Sequence, residues 1–269
     1  MGIIRAKIGI IGGSGMYSLL DDAKRVSIMT EYGSPSSDIS IGTVEGVSVA
    51  FIARHGERHS LPPHKVPYKA NIEALSKIGV ERIIATTAVG SLVPEYRPGD
   101  FVFLDQFVNM THGRDDTFFH SAPVTHVSSA EPYCSELTRI ATDASKGMGI
   151  RLHKGATIVV INGPRFSSKA ESRFFRNQGF HVIGMTQYPE VMLAREKRMC
   201  YFSIGIVTDY DSGLEGDKTV KPVSFEEITR VFSKNVGKVK QLILKTVPMI
   251  PDKRGCACEK SLEGAVISV

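Results

Sequence analysis

Polar side chains that could bind an anion follow several apolar runs in this 269-residue sequence. The first run, residues 8–11, leads into Gly12-Gly13-Ser14-Gly15. Three glycines let the main chain turn sharply and approach a ligand, with N–H groups and the Ser14 hydroxyl as donors. The loop lacks the Lys-Ser/Thr ending of a Walker loop and the last glycine of a dinucleotide fingerprint. It therefore predicts a phosphate-sized anion site, although a tight turn without a ligand explains the same residues equally well.

Other predicted strands also lead directly into polar residues. In open α/β sheets, ligands bind just beyond the carboxyl ends of the strands. A forked cationic donor combined with neutral hydroxyl donors suits phosphate. Each of these residues could alone merely terminate a strand, but together they predict a phosphate cage at one rim. Its members are Ser14, Arg54, His55, Thr87 and Thr186.

Two carboxylates, Asp209 and Asp211, follow the last strong apolar run. Carboxylates are unsuited to phosphate but suit a ligand with donors, such as the exocyclic amine of adenine. Residues two apart on an extended segment point to the same side. Burial would raise the pKa of one carboxyl, which could then donate a proton to a ring nitrogen. A solvated turn is the alternative interpretation of these residues.

The histidines and cysteines do not have the spacing of a metal site. His55 and His59 are four apart, but Gly56 and two prolines disfavour a helix there and the flanking arginines repel a cation. Four cysteines in 269 residues are too few to indicate a fold held together by disulfides. The sequence also lacks the Cys-x-x-Cys pair that would indicate zinc. Cys256 and Cys258 leave two interpretations open: free thiols on a tail, or a Cys-x-Cys disulfide.

Short apolar runs alternate with segments of helical periodicity, a pattern typical of an α/β layered fold. Apolar runs predict strands at residues 26–30, 47–53 and 201–207, and another at residues 82–88 that Gly90 breaks. Residues 131–148 predict a helix, and residues 224–247 give the clearest helix, with Ser224 and Glu227 as a capping box. No linker or repeat divides the chain. We predict one mixed β-sheet domain flanked by helices over residues 1–250, followed by a tail over residues 251–269.

The composition is that of an ordinary globular protein, with 42% hydrophobic and 23% charged residues. The net charge of +5 is scattered along the chain, which argues against a nucleic-acid surface and mildly favours anionic small molecules. The N-terminus has no signal-peptide pattern, and no apolar run reaches membrane-spanning length. These features predict a cytoplasmic protein that binds neither nucleic acid nor membrane.

Six segments, in this order and at this spacing, resemble the 5'-methylthioadenosine phosphorylases, which belong to the trimeric branch of the purine nucleoside phosphorylases. The similarity runs from about residue 7 to residue 250. The segments are IIGGSG at 10–15, ARHG at 53–56, TTAVGSL at 86–92, GPRFSS at 163–168, MT with PE at 185–190, and TDYD at 208–211.

The resemblance implies a nucleoside phosphorylase-like fold in which the five residues of the phosphate cage bind inorganic phosphate, a co-substrate, without any cofactor or metal. It places the catalytic carboxyl of Asp209, supported by Asp211, against N7 and the 6-amino group of adenine. It implies further substrate contacts from Ala88, Phe166, Ser167, Met185 and Tyr210, and closure of the 5' pocket by Phe225 and by His126 of a neighbouring subunit.

The implied reaction is phosphorolysis of 5'-methylthioadenosine to adenine and 5-methylthioribose 1-phosphate, in purine and methionine salvage. The implied assembly is a homotrimer or a dimer of trimers. A phosphorylase for methylthioinosine or another 6-oxopurine nucleoside is the nearest alternative, and Asp209 argues against it because a carboxylate repels a 6-oxo group unless it is protonated. A hydrolase and a non-catalytic nucleotide sensor are further alternatives that phosphate-dependent release of base would exclude.

Overall fold

The computed structural model describes residues 5–13, 19–213, 220 and 223–267. Ser14 and Gly15 of the glycine-rich loop lie outside this part of the chain. The described residues form nine strands: β1 (Ile8–Gly12), β2 (Asp21–Val26), β3 (Ile39–Val44), β4 (Val47–Ala53), β5 (Arg82–Ser91), β6 (Phe101–Met110), β7 (Leu152–Ile161), β8 (Val182–Gly184) and β9 (Cys200–Asp209). Their α-helices are α1 (Tyr68–Lys77), α2 (Ser135–Ala144), α3 (Lys169–Asn177), α4 (Gln187–Glu196) and α5 (Phe225–Thr246).

The nine strands make one mixed sheet, which confirms the predicted α/β fold. Its order is β2-β3-β4-β1-β5-β8-β7-β6-β9, and β9 also pairs with β5. Strands β5 to β9 therefore close on themselves as a small barrel, while β1 to β4 extend the sheet from β5. The long parallel register of β5 with β9 places Thr87 beside Gly205 and Gly90 beside Asp209. This register brings two of the predicted site segments together.

The apolar runs predicted the central strands well because these strands are buried on both faces. Every residue of β1 and of β9 is buried. The sheet packs one hydrophobic cluster with α1 and α4 and another with α2 and α5. None of the described helices is long and apolar enough to cross a membrane.

Three predicted boundaries are wrong. The sequence pattern predicts a strand at residues 26–30, but the observed strand β2 ends at Val26, where the predicted one begins. The exposed, charged residues of β2 suit a solvated sheet edge. Gly90 is expected to break β5, yet β5 continues to Ser91 with a shift of register between Val89 and Gly90. The helix expected over residues 131–148 is limited to α2, where the Cys134 side chain caps the Leu137 N–H.

Helix α5 begins at the predicted N-cap, where the Ser224 hydroxyl accepts from the Glu227 N–H at 3.2 Å. The Glu227 side chain pairs with Arg230, so only half of the predicted capping box is present among the described residues. The helix has two apolar lines. Val239 and Ile243 belong to the first line and are buried against the sheet. Ile228 and Phe232 belong to the second line and form part of the wall of a cavity.

Candidate active site

A cavity of about 800 Å³ opens where β4, β5, β8 and β9 approach α5. Most of the predicted site residues line it, although they are far apart in sequence. The loop after β4, the middle of β5, the turn between β8 and α4, and the end of β9 each contribute. The predicted residues on its wall are Arg54, His55, Thr87, Ala88, Phe166, Met185, Thr186, Asp209, Asp211 and Phe225.

Arg54 is held rigidly at one side of the cavity by a buried ion pair. Its Nε and Nη2 donate to the two oxygens of Glu190, both at 2.7 Å, and its Nη1 donates to the Thr86 carbonyl at 2.7 Å. Burial opposes the guanidinium charge, but the Glu190 carboxylate outweighs it and raises the pKa of Arg54. Three of its five N–H groups are used in this way, so two remain for an anion.

His55 offers an acceptor to the cavity. Its Nδ1 lies 2.8 Å from the Leu61 carbonyl, and because a carbonyl only accepts, Nδ1 carries a proton. Burial, together with the Arg54 charge, lowers the pKa of His55 to about 4. The ring is therefore neutral at pH 7, and its Nε2 is free of a proton, which suits it to accept a hydrogen bond from a hydroxyl group of a ligand.

Thr87 and Thr186 bring two hydroxyls together at the cavity. Their Oγ1 atoms are 3.4 Å apart, and both residues are buried. Thr87 lies within β5 and not at its end, because β5 runs on past the cavity to meet β8. Two neutral hydroxyls that line the same cavity as the Arg54 guanidinium are the kinds of donor that suit phosphate.

Asp209 is a buried carboxyl with an unusually high affinity for its proton. Burial raises its pKa to about 6, although the Thr208 hydroxyl and the Asp211 N–H donate to its two oxygens at 2.7 and 2.8 Å. Gly90 permits this position, because a Cβ there would lie 2.9 Å from Asp209 Oδ1. A carboxyl with this pKa can act as a proton donor near neutral pH.

Asp211 also lines the cavity and is nearly fully buried. Burial raises its pKa, and the Ser172 and Ser167 hydroxyls partly oppose the rise. Its N–H fixes one oxygen of Asp209, so Asp211 orients the neighbouring carboxyl through the main chain. This contact gives the predicted supporting role of Asp211 a physical basis.

Apolar side chains form the rest of the wall. Phe166 and Met185 lie on one side, and Phe225 with Phe232 comes from α5. Phe225 is 65% exposed, so it lies at the mouth of the cavity. The flat ring of a purine or an apolar thioether group fits such a surface.

Four predicted site residues are not among those that line the cavity. Ser14 lies outside the described residues. Ser167 is buried beside Asp211, and Tyr210 reaches the Pro94 carbonyl at 3.5 Å. His126 is exposed on the segment after β6, where its N–H donates to the Ala265 carbonyl at 2.8 Å. The substrate contacts of these residues stay predictions.

Sequence reasoning missed the residues that hold the binding groups in place. Glu190 accepts from Arg54 and from the Tyr201 hydroxyl at 2.6 Å. Arg114 donates to the carbonyls of Met185 and Asn162 at 2.8 and 3.0 Å, which fixes the turn before Thr186. A glutamate among the apolar residues of α4 was the one available signal, since a buried carboxylate needs a cationic partner.

Comparison with known proteins agrees with this geometry. The profile of the phosphorylase superfamily matches residues 7–248. The chain belongs to the phosphorylase superfamily. It is 51% identical over 265 residues to the S-methyl-5'-thioadenosine phosphorylase of Thermofilum pendens, covering 98% of this chain and 99% of that protein. It is 52% identical over 257 residues to the enzyme of the same name from Pyrococcus abyssi, covering 96% and 98%.

Solved structures of this family share the fold. A methylthioadenosine phosphorylase from an antarctic soil metagenomic library superposes with a TM-score of 0.91 at 39% identity, over 98% of this chain and 93% of that one. The methylthioadenosine phosphorylase of Schistosoma mansoni in complex with adenine superposes with a TM-score of 0.89 at 34% identity, over 97% and 99%.

Proposed function

We propose that this protein is an S-methyl-5'-thioadenosine phosphorylase, which converts 5'-methylthioadenosine and phosphate into adenine and 5-methylthioribose 1-phosphate. The observation that carries the proposal is that one cavity brings together two kinds of group. They are the guanidinium of Arg54 with the hydroxyls of Thr87 and Thr186, and a carboxyl that can carry a proton, Asp209. Relatives about half identical over nearly the full chain carry the same name. The product chemistry places the enzyme in purine and methionine salvage.

The phosphate end of the cavity positions the nucleophile. Arg54 donates its two remaining N–H groups to one face of the phosphate, and the hydroxyls of Thr87 and Thr186 donate to another. Neutral His55 accepts a hydrogen bond from the hydroxyl of a monoprotonated phosphate, which keeps its proton. The Glu190 carboxylate keeps the guanidinium from rotating, so phosphate is held in line with C1' and catalysis comes largely from positioning.

The carboxyl end of the cavity serves the leaving group. Bond cleavage passes through an oxocarbenium-like state, and negative charge builds on the departing purine. Protonated Asp209 donates to N7 and so stabilises that charge, with Asp211 holding its second oxygen. The 6-amino group donates to an Asp209 oxygen, which makes adenine the matched base.

The 5' end of the substrate lies against the apolar wall. Met185 lies along the ribose, Ala88 and Phe166 contact the base, and Phe225 covers the methylthio group. We infer that a neighbouring subunit completes this end with His126, in a homotrimer or a dimer of trimers. Sedimentation analysis of the purified protein tests the assembly, since a monomer at micromolar concentration would exclude a borrowed residue.

The substrate assignment is tested by base release. The protein is incubated with 5'-methylthioadenosine or 5'-methylthioinosine, each with and without phosphate, and the bases are separated by chromatography. Adenine release that requires phosphate is the expected result. Hypoxanthine release alone would keep the phosphate cage but overturn the role of Asp209, and adenine release at equal rates without phosphate would indicate a hydrolase.

A further inference from the structure

All four cysteines of the chain meet at one place, far from the cavity. The four Sγ atoms of Cys134, Cys200, Cys256 and Cys258 lie within 4.8 Å of one another, and those of Cys200 and Cys256 are 3.3 Å apart. Three chain regions supply them: the N-cap of α2, the start of β9, and the C-terminal segment. This convergence has no role in the proposed reaction.

The arrangement has the dimensions of a four-thiolate metal site. Zinc bonds thiolate sulfur at about 2.3 Å in a tetrahedron, which sets the sulfurs about 3.8 Å from one another. The observed separations bracket that distance. We propose that the four thiolates bind one structural Zn²⁺. Sulfur-only donors favour a thiophilic ion of this kind over Mg²⁺ or Ca²⁺, which take oxygen ligands.

The surroundings suit a buried thiolate site. Cys134, Cys200 and Cys258 are buried and Cys256 is half-buried, so solvent has little access to the sulfurs. Cys134 caps α2, and the Leu137 N–H lies 3.5 Å from its Sγ. The N-terminal end of a helix stabilises a thiolate, as does an N–H directed at sulfur.

A Cys256–Cys258 disulfide accounts for two members of the cluster and needs a second disulfide, Cys134–Cys200, to account for the others. The 3.3 Å contact between Cys200 and Cys256 crosses these two pairs, whereas one ion accounts for all four sulfurs together. A disulfide needs one partner for each sulfur. A tetrahedral ion needs all four sulfurs to lie close to one another, as they do here. The spacing of the four residues gave no sign of zinc, because the ligands are brought together by tertiary structure and not by a Cys-x-x-Cys motif.

The ion would fasten the C-terminal segment to the sheet. Cys200 and Asp209 are the two ends of β9, so the cluster is roughly 30 Å from the reacting groups at about 3.3 Å per residue. Arg82 donates to the Pro251 carbonyl at 2.8 Å and Arg254 to the Arg198 carbonyl at 2.7 Å. Zinc binding therefore contributes to folding and not to chemistry.

The direct test is the metal content of the full-length chain, purified anaerobically in reductant with any affinity tag removed. Inductively coupled plasma mass spectrometry should find one zinc per chain. The double variant Cys256→Ser/Cys258→Ser should lose it, whereas Glu259→Gln, which removes an exposed carboxylate in the same turn, should keep it. After exchange with Co²⁺, the wild-type protein should show the charge-transfer absorption of a tetrahedral cobalt–thiolate site.

A second measurement on the wild-type protein does not depend on how the variants fold. Titration with an organomercurial reagent should release zinc to a coloured chelator in step with the modification of four thiols. Two outcomes would overturn the proposal. One is a metal-free chain whose four thiols all react at once in reductant. The other is a freshly isolated chain without zinc whose intact mass is lower by four hydrogens, which would indicate two disulfides.

Discussion

Asp209 shows how one residue combines opposing contacts. Two donors, the Thr208 hydroxyl and the Asp211 N–H, favour its charged form, yet burial still raises its pKa to about 6. The carboxyl is thus oriented as an acceptor and still able to carry a proton. A neutral carboxyl beside a base that gains negative charge is the arrangement that proton donation requires.

Replacing Asp209 with Asn should shift the preference from 6-amino to 6-oxo substrates. The amide cannot release a proton, so we expect kcat/KM for 5'-methylthioadenosine to fall about 100-fold or more, within the usual range for general acids. The amide can also donate to a 6-oxo group, so the ratio of methylthioinosine to methylthioadenosine turnover should rise. Steady-state kinetics on both nucleosides measure this, with the exposed Asp252→Asn as control. An unchanged ratio would contradict the assignment.

The pH dependence of the wild-type enzyme should report the same group. The pKa of Asp209 is raised to about 6, so its protonated fraction is high below that pH and falls as the pH rises through it. We therefore expect kcat/KM for 5'-methylthioadenosine at saturating phosphate to decline above about pH 6. Phosphate itself titrates near this pH and affects the profile of every variant equally. The difference between the pH profiles of the wild type and Asp209→Asn therefore gives the contribution of the carboxyl. Identical profiles for both proteins would assign the decline to another group.

At the scale of elements, the site depends on the close approach of β5 and β9. A Cβ at Gly90 would lie 2.9 Å from Asp209 Oδ1 and 3.0 Å from Ile183 Cγ2, so β9 can carry a carboxyl here only beside a glycine. Similarly, Arg54 directly follows β4 and Glu190 lies in the first turn of α4, and their ion pair joins residues 136 positions apart.

Gly90→Ala should displace the Asp209 carboxyl and lower activity while the fold remains. We expect kcat/KM for 5'-methylthioadenosine to fall at least 10-fold, an order-of-magnitude figure for a misplaced reacting group. Gly237→Ala on α5 is the matched control, because a Cβ there meets nothing within 4 Å. That control should keep full activity and gain about 0.5–1 kcal/mol of unfolding free energy. Full activity of Gly90→Ala would mean that Asp209 does not need its observed position.

Glu190→Gln should weaken the binding of phosphate. The amide leaves the Arg54 charge buried without a full counter-charge, so we expect phosphate KM to rise about 10-fold and the unfolding free energy to fall by about 3 kcal/mol. Denaturant unfolding and kinetics at varied phosphate measure the two effects. Asp143→Asn removes a partly exposed ion-pair partner on α2 and should leave both the stability and the phosphate KM nearly unchanged. A loss of stability with unchanged phosphate KM would make Glu190 purely structural.

The same elements show what the sequence can and cannot predict. Strands β4 and β9 were predicted nearly to the residue because burial on both faces leaves a continuous apolar run. Strand β2 was misplaced because an edge strand tolerates charge. Ten of the predicted site residues line one cavity. Polar residues such as Arg54 and Asp209 do so because groups at the ends of buried strands collect at the rim of the sheet, whereas Thr87 reaches the cavity from the middle of β5. Glu190 and Arg114 escaped notice because their partners lie far away in sequence.

At the scale of the whole molecule, one sheet organises two separate sites. The cavity lies at one end of β9 and the cysteine cluster at the other. The segment that follows α5 also pairs with the segment after β6, where Thr125 bridges Val266 and the His126 N–H donates to Ala265. The C-terminal segment therefore supports the loop that we infer to complete the active site of a neighbouring subunit.

The central claim is that phosphate, and not water, attacks C1' of a methylthioadenosine bound in this cavity. Reaction with phosphate labelled in all its oxygens, followed by mass spectrometry of the sugar product, tests it most directly. We expect 5-methylthioribose 1-phosphate that retains every labelled oxygen, in equal amount to the adenine released. Free 5-methylthioribose without label would contradict the account and identify water as the nucleophile.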